Sequence, residues 1–188
     1  MKMRIILPLL IILAILPVFS VLGIAQTRTD MVKPSIVLVH GAFADGSSWS
    51  GVVRILQDEG YTVYVPPDPL RGLASDSTYI ADFLHSITGP IVLVGHSYGG
   101  AVITNAATGN TNVKALVYVD AFAPDEGETL GALSSATPPA GQPASCLSQD
   151  AFNFVPLTTA APDVYIKPSL FPSCFANTIP ADEAAVLA

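Results

Sequence analysis

Apolar residues occur along the chain in four short runs that predict β-strands. Ser35–His40 (SIVLVH) is a continuous, largely β-branched run, the pattern of a strand that is buried on both faces. Similar runs follow at Tyr61–Val65, Ile91–Val94 and Val113–Val119. Glycine, proline or polar residues bound each run, as they bound buried strands, so the pattern predicts four strands.

Between these runs, apolar residues recur at helical spacing. Ser47 or Ser48 is expected to cap the first helix, and Ser75-Asp76-Ser77 opens a second helix that Gly89-Pro90 closes. A third helix is predicted over Gly99–Thr108. Because strands and helices alternate, the crossovers are right-handed, and the sequence predicts an α/β fold with a mostly parallel sheet and helices on both faces.

The composition changes from Ala121 onward. This part of the chain holds nine prolines and only eight charged residues, and it has no run long enough to extend the sheet. We therefore expect a proline-rich cap of loops and short helices over about residues 121–188, within a partial domain over 35–188. A total of 188 residues is the length of one domain, and the polar residues 26–34 are predicted to be a linker.

Residues 1–25 have the composition of an export signal. Lys2 and Arg4 precede an aliphatic run, and Gly23 and Ala25 fit the two small-residue positions of a signal-peptidase site. The sequence thus predicts a signal peptide over 1–25 and a secreted or periplasmic protein. The alternative is an uncleaved membrane anchor over residues 5–25, since about 20 apolar residues can cross a bilayer.

The remaining chain is acidic. From Gln26 onward, six basic residues stand against fifteen acidic ones, without a run of Lys or Arg. Such a surface cannot neutralise phosphates, which argues against nucleic acid and against anionic membrane surfaces as partners.

The two cysteines fit an oxidising compartment. Disulfides persist outside the cytoplasm, so Cys146 and Cys174 are expected to pair, with two isolated buried thiols as the alternative. Closing a loop of that length would stabilise the fold by roughly 3 to 4 kcal/mol.

The chemistry is carried by Gly95-His96-Ser97-Tyr98-Gly99, which has the pattern G-x-S-x-G between a predicted strand and a predicted helix. In such a sharp turn the serine Oγ stands above the sheet edge, and the flanking glycines leave room for the chain to pass. A phosphate-binding turn is the alternative, but it lacks a G-x-G-x-x-G pattern or a P-loop lysine. Ser97 is therefore the predicted nucleophile.

His40-Gly41-Ala42-Phe43 follows the first strand and is expected at the same edge of the sheet. Acyl transfer needs two N–H donors aimed at the developing oxyanion. The N–H of Tyr98 can supply one, and the N–H of Ala42, or failing that of Phe43, the other. The alternative is an ordinary strand-to-helix turn.

Three segments together resemble the α/β-hydrolase fold, in the branch of small bacterial esterases similar to plant methylesterases and hydroxynitrile lyases. The resemblance covers Pro34 to about Leu130. The segments are Val37–Trp49 (VLVHGAFADGSSW), Val92–Val102 (VLVGHSYGGAV) and Ala115–Glu128 (ALVYVDAFAPDEGE).

The resemblance implies a division of roles. Ser97 matches the nucleophile, Ala42 and Tyr98 match the oxyanion hole, and the segment after Pro124 matches a lid over an apolar acyl pocket. A small apolar ester or acid is the partner that it implies, with no metal and no organic cofactor.

The general base that a serine nucleophile requires is not found where the fold places it. The acid and the histidine of this fold follow the serine in the chain, whereas His40, His85 and His96 all precede Ser97. We expect His40 to shape the oxyanion loop, His85 to lie on a solvated helix face, and His96 to pack below the turn.

The sequence also leaves more than one role open for the residue that would serve as the catalytic acid. Asp120, at the end of the fourth predicted strand, is a possible acid, or alternatively a hydrogen-bond acceptor at the strand end. Asp125, Glu126 and Glu128 form a solvated cluster without the ligand spacing of a metal site.

Three accounts fit these observations. The chain is the amino-terminal portion of a secreted esterase, or a complete non-catalytic protein that binds small molecules, or a complete enzyme whose serine works feebly with an improvised base. We favour the first, because the sequence stops at residues 182–188 inside a predicted helix without a stop signal. The prediction is a secreted, serine-dependent hydrolase of carboxylic esters that lacks its acid and histidine in this chain.

Overall fold

A computed structural model describes residues 32–134, 145–158 and 160–188. Residues Val32–Ala188 form a compact unit. The predicted signal peptide over 1–25 and most of the predicted linker lie outside the described residues. No helix in the described ranges is both long and apolar enough to span a membrane.

The described chain alternates strands and helices as far as its fourth strand and then continues into shorter elements. The strands are β1 (Ser35–Val39), β2 (Val63–Tyr64), β3 (Ile91–Ser97), β4 (Val113–Ala121), β5 (Phe152–Val155) and β6 (Asp163–Ile166). The helices are α1 (Ser50–Asp58), α2 (Leu73–His85), α3 (Tyr98–Ala106), α4 (Leu130–Ser134), α5 (Phe171–Cys174) and α6 (Ala181–Leu187).

The first four strands form one parallel sheet in the order β2-β1-β3-β4. Val37 of β1 pairs with Leu93 of β3, and Leu93 in turn pairs with Leu116 of β4. Because the strands are parallel, their carboxyl ends share one edge, and the turns after β1 and β3 come together there. The predicted α/β architecture is confirmed.

Alternate residues of the central strands enter two separate cores. On one face, Val37 and Leu93 pack with Ile80 and Leu84 of α2 and with Ile103 of α3. The opposite face forms a second, smaller cluster, which includes Ile36, Leu38, Trp49 and Val94 and is flanked by apolar residues of α1. Both faces of β1 are therefore buried, as its continuous apolar run predicts.

Several element boundaries differ from the sequence prediction. A 3-10 turn at Gly46–Trp49 precedes α1, and Asp45 caps that turn, because its carboxylate accepts from the Ser47 N–H at 2.7 Å. The first helix itself has Trp49 at its N-cap and no side-chain cap, so the predicted capping by Ser47 or Ser48 is wrong. β3 continues to Ser97, past the predicted end at Val94, since its pairing with β4 continues as far. The turn that carries Ser97 therefore passes directly from strand to helix.

β4 presents an uncovered surface. In the described part of the chain, β3 is its sheet neighbour and no strand pairs with its other edge. Val117 and Val119 are each 41% exposed, although both belong to a long strand of the sheet. The described residues after Ala121 add no strand to this sheet.

The segment after β4 contains an antiparallel ribbon, β5–β6, in place of the loops and short helices alone that the composition predicts. Cys146 and Cys174 form the expected disulfide, with their Cα atoms 5.7 Å apart. The ribbon reaches the sheet domain through Phe152, whose ring stacks on Phe43 at 5.3 Å between centroids. We call the described residues after Ala121 the cap, in keeping with the predicted cap over about 121–188.

Truncation of Leu84 tests the larger core. Leu84 is fully buried against the sheet, so Leu84→Ala should lower the free energy of unfolding by about 2–5 kcal/mol through lost burial and a residual cavity. Ile55→Ala is the matched control, because Ile55 is 65% exposed on α1 and its truncation should change stability by under about 0.5 kcal/mol. Urea unfolding followed by circular dichroism measures both, and equal losses would contradict the described core.

Candidate active site

Ser97 lies at the junction of β3 and α3 in a strained backbone conformation. Its φ is 52° and its ψ is −121°, a region that L-residues rarely adopt outside a constrained turn. Its carbonyl accepts a hydrogen bond from the Phe122 N–H at 3.1 Å, which ties the turn to the end of β4. This is the geometry that the G-x-S-x-G motif predicts for an exposed nucleophile.

Glycines allow the neighbouring chains to pack against this turn. A Cβ on Gly41 would lie 2.7 Å from Ser97 Cβ and 2.9 Å from the His96 carbonyl oxygen. A Cβ on Gly99 would lie 2.7 Å from the carbonyl oxygens of Val39 and His40. Both distances are shorter than a real Cβ contact, so the turns after β1 and β3 touch backbone to backbone.

The imidazole of His40 fixes the turn after β1. The Asp68 N–H donates to His40 Nε2 at 3.0 Å, so Nε2 is the acceptor and Nδ1 carries the proton that it donates to the Gly41 carbonyl, also at 3.0 Å. Because the peptide after Gly41 is trans, anchoring its carbonyl aims the Ala42 N–H in the opposite direction. His40 shapes the turn as predicted, and its Nε2 lone pair is already occupied.

A cleft of about 290 Å³ lies beside the two turns. Its lining includes both predicted oxyanion donors and one loop from the segment between β2 and α2. The lining residues are Ala42, Leu70, Arg71, Gly72 and Tyr98. The structure therefore places Ala42 and Tyr98 on one cavity, next to the turn that carries Ser97.

The other two histidines are not positioned as partners of Ser97. His96 is half-buried with its ring edge-on to Trp49 at 6.3 Å, and burial lowers its pKa, opposed by the nearby charge of Asp120. His85 is exposed in the last turn of α2, as predicted. Among the described residues, no side chain forms a hydrogen bond with the Ser97 hydroxyl.

Asp120 stands at the end of β4 with a φ of 45° and an exposed side chain. Its charge raises the pKa of His96, against the larger opposite effect of burial, and no hydrogen bond joins it to a histidine within the described residues. Its role as the acid stays a prediction. The described ranges contain no group of three or more His, Cys, Asp or Glu side chains that could hold a metal ion.

Two buried carboxylates near the cleft were not singled out from the sequence. Asp68 is only 5% exposed, and neither of its carboxylate oxygens has a well-formed hydrogen bond. Burial, and then repulsion by Asp76, raises the pKa of Asp68 to about 6, with weaker opposition from the Leu70 backbone N–H and from His40. A proline-rich loop gives no periodicity from which such burial could be recognised.

The second carboxylate, Asp76, is fully buried and bonded. Tyr98 Oη donates to Asp76 Oδ2 at 2.8 Å, and the backbone N–H groups of Arg71 and Gly72 donate to the same carboxylate. Burial and then the Asp76 hydrogen bond raise the pKa of Tyr98, so its hydroxyl remains a donor. The only sequence signal for Asp76 was its place at a helix start.

The cap meets the sheet domain at the rim of the cleft. Arg71 Nη1 pairs with Asp163 Oδ1 at 2.8 Å, which joins a lining residue to the start of β6. Phe43, directly after Ala42, contacts Phe152 and Phe175 of the cap. The cap is thus attached through residues that belong to, or adjoin, the cleft wall.

Comparison with known proteins shows which family this chain is similar to. Residues 36–186 match the Alpha/beta hydrolase family. A carbendazim-hydrolyzing esterase of Nocardioides sp. (strain SG-4G) is 37% identical over 119 residues, which are 56% of this chain and 49% of that esterase. The pyrethroid hydrolase of Sphingobium wenxiniae is 31% identical over 112 residues, 53% of this chain and 40% of the relative.

Among solved structures, tomato methylketone synthase I matches with a TM-score of 0.65 and 20% identity, over 83% of this chain and 65% of the tomato protein. This likeness concerns the fold. The chain spans about half the length of the curated relatives described above.

Adding one methyl group at Gly41 tests the contact between the two turns. Gly41→Ala should reduce covalent labelling of Ser97 by a fluorophosphonate about 100-fold or more, because a displacement of the turn by about 1 Å misplaces the reacting groups. Gly51→Ala is the control, since a Cβ there meets no atom within 4 Å. Labelling of Gly41→Ala at the rate of Gly51→Ala would contradict the contact.

Asp68 should make stability depend on pH. Its pKa is raised from 3.8 to about 6 by burial, so the folded state favours the protonated form, and stability is lost as pH rises from about 4 through 6. Asp68→Asn should therefore be more stable than the parent by about 1–2 kcal/mol at pH 8, after allowance for solvent screening, and similar to it at pH 4.

Urea unfolding at the two pH values measures this difference. The exposed Asp58→Asn variant should follow the parent at both. A gain for Asp68→Asn that is the same at pH 4 and pH 8 would rule out ionisation of Asp68 as its cause.

Proposed function

Because the chain belongs to the α/β-hydrolase family, we propose that it is a serine-dependent hydrolase of carboxylic esters whose nucleophile is Ser97. The observation that carries the proposal is the position of Ser97. It stands at φ 52° on the strand-to-helix turn, within van der Waals reach of the Gly41 turn and beside the cleft lined by Ala42 and Tyr98. This arrangement gives an ester carbonyl a nucleophile and two N–H donors at one place.

The proposed reaction is acyl transfer. Ser97 Oγ attacks the acyl carbon while its proton passes to a base, and the carbonyl oxygen becomes an oxyanion facing the N–H groups of Ala42 and Tyr98. Collapse of this intermediate breaks the bond to the alcohol, which takes up the proton, and leaves an acyl-enzyme. Water then attacks the acyl-enzyme and releases the acid.

The described residues offer no free base beside Ser97 to accept its proton, and this limits the proposed rate of acyl transfer. His40 Nε2 is occupied by the Asp68 N–H, and His96 packs on Trp49. Without a base, the oxyanion hole and substrate binding supply a residual acceleration of roughly 10³- to 10⁴-fold over water. The acid and histidine of the full reaction are proposed to belong to a longer form of the protein.

The proposed substrate is a small apolar ester. Among the five residues that line the cleft, Arg71 alone carries a charge, and Asp163 pairs with it. A carbendazim-hydrolyzing esterase and a pyrethroid hydrolase are among the relatives. Tomato methylketone synthase I has been crystallised with 2-tridecanone, so the fold itself admits an apolar molecule.

We further propose that the protein works outside the cytoplasm. The composition of residues 1–25 and the disulfide between Cys146 and Cys174 both support an exported protein. In this proposal residues 1–25 are a leader, 35–188 a partial hydrolase domain, and the part after 121 its cap.

A non-catalytic binding protein is the second candidate. It is favoured by one observation, namely that no described histidine forms a hydrogen bond with the Ser97 hydroxyl. Such a protein would keep the cleft and bind apolar esters or acids without cleaving them.

Labelling and turnover of residues 26–188 separate the candidates. A fluorophosphonate should label the parent protein at Ser97, and p-nitrophenyl acetate turnover should be slow, within about 10³- to 10⁴-fold of the uncatalysed rate. Ser97→Ala should abolish labelling, whereas Ser48→Ala, an exposed serine near the same sheet edge, should leave it unchanged. Mass spectrometry identifies the labelled residue.

One result would count against the proposal, and another would support Ser97 as the nucleophile but contradict the expected lack of a base. Binding of apolar esters without Ser97-dependent labelling would favour the binding protein. Turnover at the rate of ordinary esterases, lost in Ser97→Ala, would show that the chain contains its own base.

A further inference from the structure

We propose that Asp76 is a positioning residue that holds the Leu70–Gly72 loop against Tyr98 and thereby shapes the substrate cleft beside Ser97. This inference rests on the proposed function, because it concerns the cleft in which the ester would bind. Asp76 lies in the first turn of α2 and is separated by 21 positions from the predicted nucleophile.

The carboxylate of Asp76 is buried completely, yet every contact of its oxygens is with a donor. Oδ1 accepts from the Arg71 N–H at 3.1 Å, and it lies 3.3 Å from Ser75 Oγ, whose single proton has a shorter bond to the Gly72 carbonyl at 2.9 Å. Oδ2 accepts from the Gly72 N–H at 3.2 Å and from Tyr98 Oη at 2.8 Å. A buried carboxylate is tolerated only when it is satisfied in this way, so the carboxylate and its three donors from Arg71, Gly72 and Tyr98 hold one another in place.

The loop that Asp76 holds is strained. Leu70 has a φ of 55° and Gly72 a φ of 150°, so a non-glycine residue stands in the left-handed region directly before the two bonded N–H groups. Such a conformation persists only when the surroundings determine it. Asp76 holds the loop in this conformation, because its carboxylate accepts hydrogen bonds from the successive N–H groups of Arg71 and Gly72.

Both sides of the cleft meet at this carboxylate. Leu70, Arg71 and Gly72 form one part of the lining, and Tyr98 forms another. Asp76 bonds to the loop through Arg71 and Gly72 and to Tyr98 through the phenol. One side chain outside the cleft therefore sets the separation of two of its walls.

Capping of α2 does not account for the whole arrangement. Gly72 is the N-cap of α2, and its N–H is one that a helix start leaves without a partner, so a carboxylate in the first turn satisfies it. Arg71 precedes the N-cap, and its bond to Asp76 fixes the loop. The bond from Tyr98 Oη reaches Asp76 from α3 and has no part in capping. A capping residue alone predicts that loss of the phenol changes nothing at the cleft.

Two variants separate positioning from capping. Asp76→Asn replaces one of the accepting carboxylate oxygens with an NH₂ group, which cannot accept. Tyr98→Phe removes the phenolic hydroxyl but keeps the aromatic ring and the backbone N–H proposed for the oxyanion hole. Tyr118→Phe is the matched control, because the Tyr118 hydroxyl bonds to Thr104 on the outer side of α3. Each protein is treated with a series of concentrations of a fluorophosphonate that carries a decyl chain.

We expect the two variants to bind the probe more weakly without changing the rate at which the bound probe reacts. In Tyr98→Phe and Asp76→Asn, the probe concentration for half-maximal labelling should rise at least about fivefold, while the limiting rate stays within about twofold of the parent. Tyr118→Phe should match the parent in both quantities. An unchanged half-maximal concentration in Tyr98→Phe, or a loss confined to the limiting rate, would overturn the proposal.

Amide hydrogen exchange distinguishes this failure from failure of the proposed function. In Asp76→Asn, the Arg71 and Gly72 amides should exchange about tenfold faster, whether or not Ser97 reacts. Absence of labelling in the parent would count against Ser97 as nucleophile only, and unchanged exchange in Asp76→Asn would overturn the role of Asp76. If Asp76→Asn does not fold, the amide exchange and the probe labelling of Tyr98→Phe still test the proposed role of Asp76.

Discussion

Contact between two backbone turns at the carboxyl edge of β1 and β3 is the constraint on which the rest of the structure depends. Parallel pairing of the two strands brings the turns to the same edge, and glycine at 41 and at 99 allows carbonyl groups and Ser97 Cβ to occupy the space that side chains would fill. The strained backbone of Ser97 is held from both sides, by Gly41 and by the Phe122 N–H. Ser97 is therefore presented by packing of the main chain.

Around this contact, the chain buries polar groups that a purely apolar core would avoid. His40 is buried with both ring nitrogens bonded, and Asp76 is buried with three donors, the N–H groups of Arg71 and Gly72 and the Tyr98 hydroxyl. Asp68 is buried without such compensation, and its backbone N–H nonetheless holds His40 in place. The loop between β2 and α2 thus buries a costly carboxylate while it fixes the Gly41–Ala42 turn and the cleft wall, as functional sites commonly do.

The sequence could predict the sheet, its helices and Ser97, because each depends on local pattern. A β-branched run reports burial on both faces, and G-x-S-x-G between strand and helix reports a turn with few alternative geometries. Asp68 and Asp76 could not be recognised as buried, since that depends on contacts with residues 22 to 28 positions away. Asp45 was passed over as a cap because the 3-10 turn after it has no distinctive composition.

The open edge of β4 has a consequence for the behaviour of the protein in solution. Within the described residues, one side of this strand presents unpaired N–H and C=O groups, flanked by the half-exposed Val117 and Val119. Such an edge is a template on which another extended chain can add by main-chain hydrogen bonds. Self-association of this chain therefore competes with its solubility as concentration rises, and the net negative charge that separates molecules in dilute buffer becomes less effective as salt is added.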